Sequence, residues 1–395
     1  MDIAWGTDNN LYDDQFYNRE EEIGFLKSIL NTSQFGSTPT ILLTGIRGVG
    51  KTALLKKLQR EFIDDYLVIY ADFSQSYAYQ TDKLSPNAIM EFLYDRIIKS
   101  AHEQGLKTLG KKLEKYFKTN DFHIKEILNF QGISIPIPKS EENYHKLADF
   151  VMDLPQMIYD EYSEEIKGVF IFIDEFQTIK DLDNELNGFL WYFRSKVQEQ
   201  KNVAYMFSGS MSLTDSLIQD IAGKKGAFGG RMLTYELKPF SKEITKNYLD
   251  EKAANLKFSD DAFERFYTCT KGIPTYINLF AKLLPQNHLI DEEELKVEFK
   301  KDLPFLAIHF INIWSKLTFK EQKIIISLLD KPLKRVEIAR ELNVTSGSLS
   351  NSLNSLQNKA LIQLNDSKYE IIDYIFRAWL KNEYANKGVY PFRSI

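Results

Sequence analysis

The chain has little cysteine and histidine for its length. Cys269 is the one cysteine among 395 residues, so the chain can form no internal disulfide, which suits a reducing compartment. The five histidines lie far apart, without the close spacing typical of zinc ligands. No apolar run reaches the roughly 18 residues of a membrane span, and residues 1–5 lack the pattern of a signal peptide. These absences predict a cytoplasmic protein without disulfides, a zinc centre or a membrane segment.

Neither sign of charge is in large excess. The chain has 50 Lys and Arg residues against 55 Asp and Glu residues, a net charge of -5, which excludes a global attraction to nucleic acid. Hydrophobic residues make up 44% and charged residues 27% of the chain, as in folded globular proteins. The length predicts two or three domains.

Short apolar runs alternate with helical patterns over the first 240 residues. They predict strands at 40–44, 66–71, 169–173, 203–207 and 232–237, with helices starting near 19, 51, 85, 147 and 186. Because the runs are apolar on both faces, we expect a parallel sheet covered by helices on both sides, an α/β fold. The proline-containing stretch 129–138 predicts a small hairpin or an ordered insertion.

Residues 45–52, with the sequence GIRGVGKT, match the pattern G-x-x-x-x-G-K-[ST]. Glycines allow successive backbone N–H groups to turn around an anion, and the following helix points its positive end at the same place. Lys51 adds a charge for the terminal phosphates, and the Thr52 hydroxyl suits Mg²⁺. The motif lies between a predicted strand and a predicted helix, the context that distinguishes a P-loop from a chance match. The predicted phosphate-binding residues are Gly45, Gly48, Val49, Gly50, Lys51, Thr52 and Ala53.

Two adjacent acids end the apolar strand 169–173. A single acid there could be a helix cap, but an acid pair in a chain with a P-loop favours a magnesium and water site. Asp174 is predicted to bind Mg²⁺ together with Thr52, and Glu175 to act as general base for the attacking water. The guanine-reading pattern Asn-Lys-x-Asp and the transporter signature Leu-Ser-Gly-Gly-Gln are both absent. The strand 66–71, between the P-loop strand and the acidic strand, favours ATPases with an added central strand.

Six stretches together resemble a known family: the P-loop, the acid pair, and residues 16–23, 207–211, 229–241 and 272–274. The chain resembles the archaeal-type P-loop ATPases of the STAND class, relatives of AAA+ and origin-recognition ATPases. The resemblance implies that Arg19 lies by the adenine, that Ser208 senses the γ-phosphate, and that Pro274 packs a helical lid on the nucleotide. It also implies a catalytic role for Arg231, within the chain or across a subunit interface.

Each of these residues also has a plainer interpretation. Arg19 could form a surface ion pair, Ser208 could cap a helix, and Arg231 could be an ordinary surface arginine. The stretch 272–274 could be only a helix-ending turn. After Gly272 the next basic residue is Lys282, which favours a STAND-like switch over a replication initiator.

The last part of the chain has the pattern of a winged helix. Predicted helices at 321–329, 334–342 and 345–359 precede two short strands at 361–364 and 369–372. Thr318 and Glu321 have the spacing of a capping box. Helix 345–359 could enter a DNA groove, but Lys359 is its one basic residue. DNA binding and a packing or protein-partner role therefore both remain.

The sequence predicts a P-loop ATPase core at 1–239, a helical lid at 240–310 and a winged-helix domain at 311–395. The predicted cofactors are ATP and Mg²⁺, and the predicted activity is slow ATP hydrolysis coupled to domain rearrangement. Three roles are compatible with it: a signalling or scaffold switch, a DNA-associated ATPase, and a nucleotide-binding scaffold without turnover. The protein partner and the oligomeric state stay open.

Overall fold

A five-stranded parallel sheet forms the centre of the computed structural model, which describes residues 11, 15–106, 109–119, 124–130, 133–138, 144–211 and 216–391. The strands in chain order are β1 (Thr40–Thr44), β2 (Leu67–Asp72), β3 (Ile124–Phe130), β4 (Ile133–Pro138), β5 (Val169–Asp174), β6 (Val203–Ser208), β7 (Leu233–Glu236), β8 (Lys257–Phe258), β9 (Leu289–Ile290), β10 (Ile362–Asn365) and β11 (Lys368–Ile371). The five central strands lie within one residue of their predicted bounds. This confirms the predicted parallel sheet.

Helices surround this sheet and form most of the chain after residue 240. They are α1 (Glu20–Leu30), α2 (Lys51–Phe62), α3 (Tyr77–Gln80), α4 (Pro86–Glu103), α5 (Leu109–Thr119), α6 (Tyr144–Tyr162), α7 (Leu186–Glu199), α8 (Ser216–Ala222), α9 (Lys242–Lys252), α10 (Asp260–Thr270), α11 (Pro274–Leu283), α12 (Glu292–Leu306), α13 (Ile308–Lys316), α14 (Phe319–Ser327), α15 (Arg335–Glu341), α16 (Ser350–Asn358) and α17 (Tyr374–Lys387). Short 3₁₀ segments occupy Asn31–Phe35, Phe73–Gln75, Phe176–Glu185 and Gly347–Leu349. Within the described ranges, no helix is long and apolar enough to cross a bilayer.

The order of strands in the sheet is β2-β5-β6-β1-β7, and every neighbouring pair is parallel. The strand inserted between the P-loop strand β1 and the acidic strand β5 is therefore β6. Our assignment of residues 66–71 to that place is wrong, because β2 pairs only with β5 and lies at the sheet edge. Chain order does not reveal which strand pairs with which, although the presence of an added strand was expected correctly.

The central strands β5 and β6 are buried on both faces, as their apolar sequences predict, whereas the edge strand β7 is partly exposed. Along β5, Phe170 and Phe172 pack with the buried side chains of α1 and α2. The alternating residues Ile171 and Ile173 pack on the other face with α4, α6 and α7. This period of two follows from strand geometry and explains why β5 has no polar residue before Asp174. The strands β3 and β4 form an antiparallel hairpin, one of the two alternatives predicted for 129–138.

The chain from Phe240 onward shares one continuous buried cluster. Phe310 and Trp314 of α13 pack on Phe376 of α17, with ring centroids 4.7 and 6.1 Å apart. The buried cluster therefore continues across the predicted boundary at residue 310. The division into lid and C-terminal domain stays a prediction. The capping box of Thr318 and Glu321 is confirmed at the start of α14.

The elements after α14 follow the predicted pattern with one difference. The predicted helix 345–359 is divided into a 3₁₀ turn, Gly347–Leu349, and the helix α16. The strands β10 and β11 pair as an antiparallel hairpin. Serine and glycine at 346–348 have low helix propensity, which accounts for the irregular first turn.

Candidate nucleotide-binding site

The loop between β1 and α2 needs glycine at two positions. Gly45 has a φ of +143°, and a Cβ there would lie 2.6 Å from the carbonyl oxygen of Leu237. Gly48 has a φ of +80°, and a Cβ there would lie 3.0 Å from the side chain of Thr275. Glycine is thus required at both positions, by the backbone conformation and by the close approach of Leu237 and Thr275. The loop has the shape that the motif predicts.

The ammonium group of Lys51 is buried beneath this loop. It donates hydrogen bonds to the carbonyl oxygens of Gly45 (2.9 Å) and Ile46 (3.0 Å), and to the hydroxyl of Ser210 (3.2 Å). Burial lowers the pKa of Lys51 to about 8, although the nearby carboxylates of Glu175 and Asp174 act in the opposite direction. An anion bound at the loop would stabilise the charged form of this lysine.

The amino end of α2 offers donors to the same place. The helix begins at Lys51 after Gly50, and no side chain caps it. Because the first N–H groups of a helix have no partner inside the helix, those of Lys51, Thr52 and Ala53 are suited to phosphate oxygens. Val49 belongs to the loop, and its buried side chain packs with β1 and α2.

Asp174 is the centre of a small group of oxygen atoms at the carboxyl end of β5. Its carboxylate accepts hydrogen bonds from the Thr52 hydroxyl at 2.6 Å and from the Tyr70 phenol at 2.9 Å. Burial, followed by the charge of Asp174, raises the pKa of Tyr70, so this phenol stays a donor. One carboxylate and one hydroxyl are hard oxygen ligands, and a Mg²⁺ ion that keeps waters and phosphate oxygens needs few more from the protein. Thr52 and Asp174 therefore fit the predicted metal site.

Glu175 follows Asp174 in a backbone conformation unusual for its type. Its φ of 53° lies in the left-handed region, where a non-glycine residue is strained. Burial, with a further contribution from the charge of Asp174, raises the pKa of Glu175. Its carboxylate accepts a hydrogen bond from the amide of Gln177. A buried, oriented carboxylate of this kind suits the predicted general base.

Arg19 connects the start of α1 to the loop. Only 7% of its surface is exposed, and its guanidinium donates to the carbonyl oxygens of Lys238 (2.7 Å) and Val49 (3.5 Å). It also pairs with Glu22 at 2.8 Å and lies 4.8 Å from the ring centroid of Phe240. The alternative of a surface ion pair does not describe this buried arrangement.

The segment 272–274 places the next helix directly on the loop. Pro274 is the first residue of α11, and Thr275 follows it. The backbone N–H and the hydroxyl of Thr275 both donate to the carbonyl oxygen of Gly48, at 3.2 and 3.1 Å. This segment is a helix start at the P-loop, and Gly272, with a φ of 70°, precedes it.

The side chains of two predicted residues, Ser208 and Arg231, do not hydrogen-bond to the P-loop, Asp174 or Glu175 among the described residues. Ser208 ends β6, is fully buried, and its hydroxyl has no hydrogen-bond partner among the described residues. The hydroxyl that reaches Lys51 belongs to Ser210. Arg231 is exposed and precedes β7, whereas the P-loop follows the carboxyl end of β1. Arg231 lies two residues before the four-residue strand β7, whose last residue Glu236 pairs with Thr44, so its backbone lies toward the opposite end of the strand from the P-loop.

Four residues at the site were not predicted individually: Tyr70, Gln177, Ser210 and Thr275. Tyr70 lies within a predicted strand, where a tyrosine indicates only strand propensity. Ser210 lies in the stretch 207–211, which was noted for its resemblance to the family. The two serines at 208 and 210 indicated that either hydroxyl could reach the site. Nothing local in the sequence marks Gln177 or Thr275.

The comparisons with known proteins agree with this geometry. A family model described as an ATPase domain predominantly from Archaea matches residues 16–280. No curated protein matches the chain in sequence. The solved structures that are similar in fold include the following two. The Walker-type ATPase PABY2304 of Pyrococcus abyssi is 18% identical, with a TM-score of 0.63, over 94% of this chain and 99% of that one. The ORC2 protein of Aeropyrum pernix, determined as ADPNP-ADP complexes, is 12% identical, with a TM-score of 0.51, over 97% and 98%.

Proposed function

Because the chain belongs to the family of ATPase domains found predominantly in Archaea, we propose that it is a slow, magnesium-dependent ATPase that works as a molecular switch. ATP binding at residues 45–53 would be transmitted to the helices after residue 240. The contact between Thr275 and Gly48 is the observation that carries this proposal. It joins the phosphate-binding loop to α11 through two hydrogen bonds to one carbonyl oxygen.

The proposed chemistry is attack of water on the γ-phosphorus, which breaks its bond to the β,γ-bridging oxygen and releases ADP and phosphate. Lys51 and the N–H groups of α2 would hold the phosphates, and Glu175 would accept the proton of the attacking water. Thr52 and Asp174 would hold Mg²⁺, which neutralises phosphate charge when bound. Most of the rate enhancement then comes from positioning and charge neutralisation.

The contacts that α11 makes on two sides support the proposed switch. Thr275 contacts the loop, and the next residue, Tyr276, donates to Asp373 at the start of α17. A ligand shifts a conformational equilibrium only through its different affinities for the two states. Nucleotide bound at the loop near Gly48 would alter how strongly the loop binds α11. A shift of α11 would then change the position of the C-terminal helices.

Hydrogen exchange of the full chain tests this proposal. We expect Mg-ATP to protect the loop, α11 and the start of α17 in the wild-type protein. Thr275→Val removes the hydroxyl donor at similar size, so it should still bind ATP but give less protection at α17. Protection confined to the loop and α2 in the wild-type protein would contradict the switch.

A DNA-associated ATPase is the second candidate function. The short connection between α15 and α16, followed by the β10–β11 hairpin, supports a winged helix. However, Arg335 donates to the carbonyl oxygens of Ser346 and Gly347, and Lys359 pairs with Glu321 at 2.8 Å. These two cations are engaged inside the unit, which reduces the positive charge available for phosphates. Binding of duplex DNA by the full chain at low salt, measured by anisotropy, would favour this candidate, and its absence would favour the switch.

A further inference from the structure

The side chain of Gln177 lies between the predicted general base and the end of β6. Its amide nitrogen donates to the carboxylate of Glu175, and its amide oxygen accepts a hydrogen bond from the backbone N–H of Ser210 at 3.1 Å. A carboxylate only accepts and an N–H only donates, so the amide can be satisfied in one orientation alone. The two partners therefore fix the orientation of the Gln177 side-chain amide.

The surrounding backbone makes room for this amide. A Cβ at Gly209 would lie 2.7 Å from the amide oxygen of Gln177 and 2.5 Å from the terminal methyl of Met211. Glycine at 209 thus allows Gln177 to reach the N–H of Ser210. The strained backbone of Glu175 also needs contacts that hold it, and strain of this kind persists only where neighbours determine it.

These contacts complete a chain of hydrogen bonds from the phosphate site to the general base. Lys51 donates to the hydroxyl of Ser210, the N–H of Ser210 donates to Gln177, and Gln177 donates to Glu175. Within the part of the chain that the structure describes, the side chain of Gln177 hydrogen-bonds to Glu175 and Ser210 and not to the loop 45–52, so it acts on the reaction through these two residues.

We propose that Gln177 is the positioning residue for Glu175, which it holds at a fixed place relative to the end of β6. This inference rests on the proposed ATPase function. Gln177 should affect the hydrolysis step and leave the affinity for nucleotide unchanged, because its partners are the general base and a backbone N–H. Orientation of a general base can be worth a factor of about 10²–10⁴ in rate, and loss of its support should remove a part of that.

The test compares single-turnover ATP hydrolysis and ATP binding for four proteins: wild type, Gln177→Ala, Gln177→Glu and Glu175→Gln. We expect Gln177→Ala to lower the hydrolysis rate by at least about tenfold at an unchanged ATP dissociation constant. Gln177→Glu keeps the size but places a second carboxylate beside Glu175, so it should be as slow or slower. The exposed Gln198 provides the matched control, Gln198→Ala, which should hydrolyse ATP like wild type.

A double-mutant cycle separates positioning from general structural support. In the Glu175→Gln background, Gln177→Ala should cause no further loss of rate, because its effect passes through Glu175. A wild-type rate in both Gln177 variants, or a further loss in the double variant, would overturn the inference. Loss of ATP binding in Gln177→Glu would also overturn it. Failure of the wild-type protein to hydrolyse ATP would instead contradict the proposed function.

Discussion

The phenol of Tyr276 donates a 2.6 Å hydrogen bond to the carboxylate of Asp373 and so joins α11 to the start of α17. The same carboxyl group caps α17 by accepting from the N–H groups of Ile375 and Phe376. Both side chains are buried: burial raises the pKa of Asp373 and of Tyr276 alike. One pair thus links the helix that rests on the P-loop with the C-terminal part of the chain.

Removing the Tyr276 hydroxyl should destabilise this link. Tyr276→Phe leaves a buried carboxylate oxygen of Asp373 without its donor, and we expect the free energy of unfolding to fall by about 1–3 kcal/mol. Urea denaturation measures the change. The control is Tyr77→Phe, because the Tyr77 side chain is 79% exposed. Equal stability of the two variants would show that the buried hydrogen bond contributes little.

Asp174 should account for the dependence of ATP binding on magnesium. Asp174→Asn keeps the size of the side chain but removes the charge that faces Thr52. We expect Mg²⁺ to tighten the binding of a fluorescent ATP analogue to the wild-type protein, and this gain to fall by at least about tenfold in the variant. Titrations with Mg²⁺ and with EDTA measure it, and Asp250→Asn, at an exposed position, is the control. A magnesium effect of wild-type size in Asp174→Asn would refute the assignment.

The position of Arg231 predicts a role between subunits if it has a role in hydrolysis. It lies two residues before β7, toward the amino ends of the strands, whereas the P-loop of its own chain follows the carboxyl end of β1. We expect the ATPase rate per protein molecule to rise with protein concentration, and Arg231→Ala to abolish that rise without changing ATP affinity. The comparison uses Lys225→Ala, a nearby exposed cation, as control. A rate independent of concentration in the wild-type protein would contradict this role.

Glu321 should make the C-terminal helices sensitive to acid. Although burial opposes its ionisation, hydrogen bonds from Lys359, Ser355 and Thr318 lower the pKa of Glu321 to about 2. Because this pKa is below the unfolded value, its contribution to stability is complete above about pH 4.5 and is lost as the pH falls toward 2. Glu321→Gln should therefore be less stable than wild type at pH 7, with a difference that shrinks between pH 4.5 and 3.

Denaturation at several pH values measures this difference. The control is Glu293→Gln, because the Glu293 side chain is 82% exposed and its ion pair with Lys296 is worth little. A difference between Glu321→Gln and wild type that stays constant from pH 7 to pH 3 would disagree with the lowered pKa.

The sequence predicts best what is encoded locally. The glycines of the P-loop, the apolar strand before Asp174 and the capping box at Thr318 each depend on neighbours within a few residues, and each is confirmed. The bounds of the central strands follow from the same kind of pattern. Hydrophobic periodicity and turn chemistry therefore suffice for these features.

Contacts between distant segments were not predictable in this way. The place of β6 beside β1 depends on strand pairing, and the meeting of Thr275 with Gly48 depends on how α11 packs. Ser208 and Ser210 differ by two residues, yet only the hydroxyl of Ser210 contacts Lys51, because the chain has left the strand there. Such details follow from tertiary packing rather than from any motif.

The most direct test of the whole account is equilibrium binding of ATP to the full chain with Mg²⁺, for wild type and for Lys51→Ala. The account predicts saturable binding of about one ATP per chain to wild type, and affinity lowered by at least about tenfold in the variant, since a buried charge that contacts phosphate is removed. No saturable binding to wild type, or equal binding to both proteins, would contradict it.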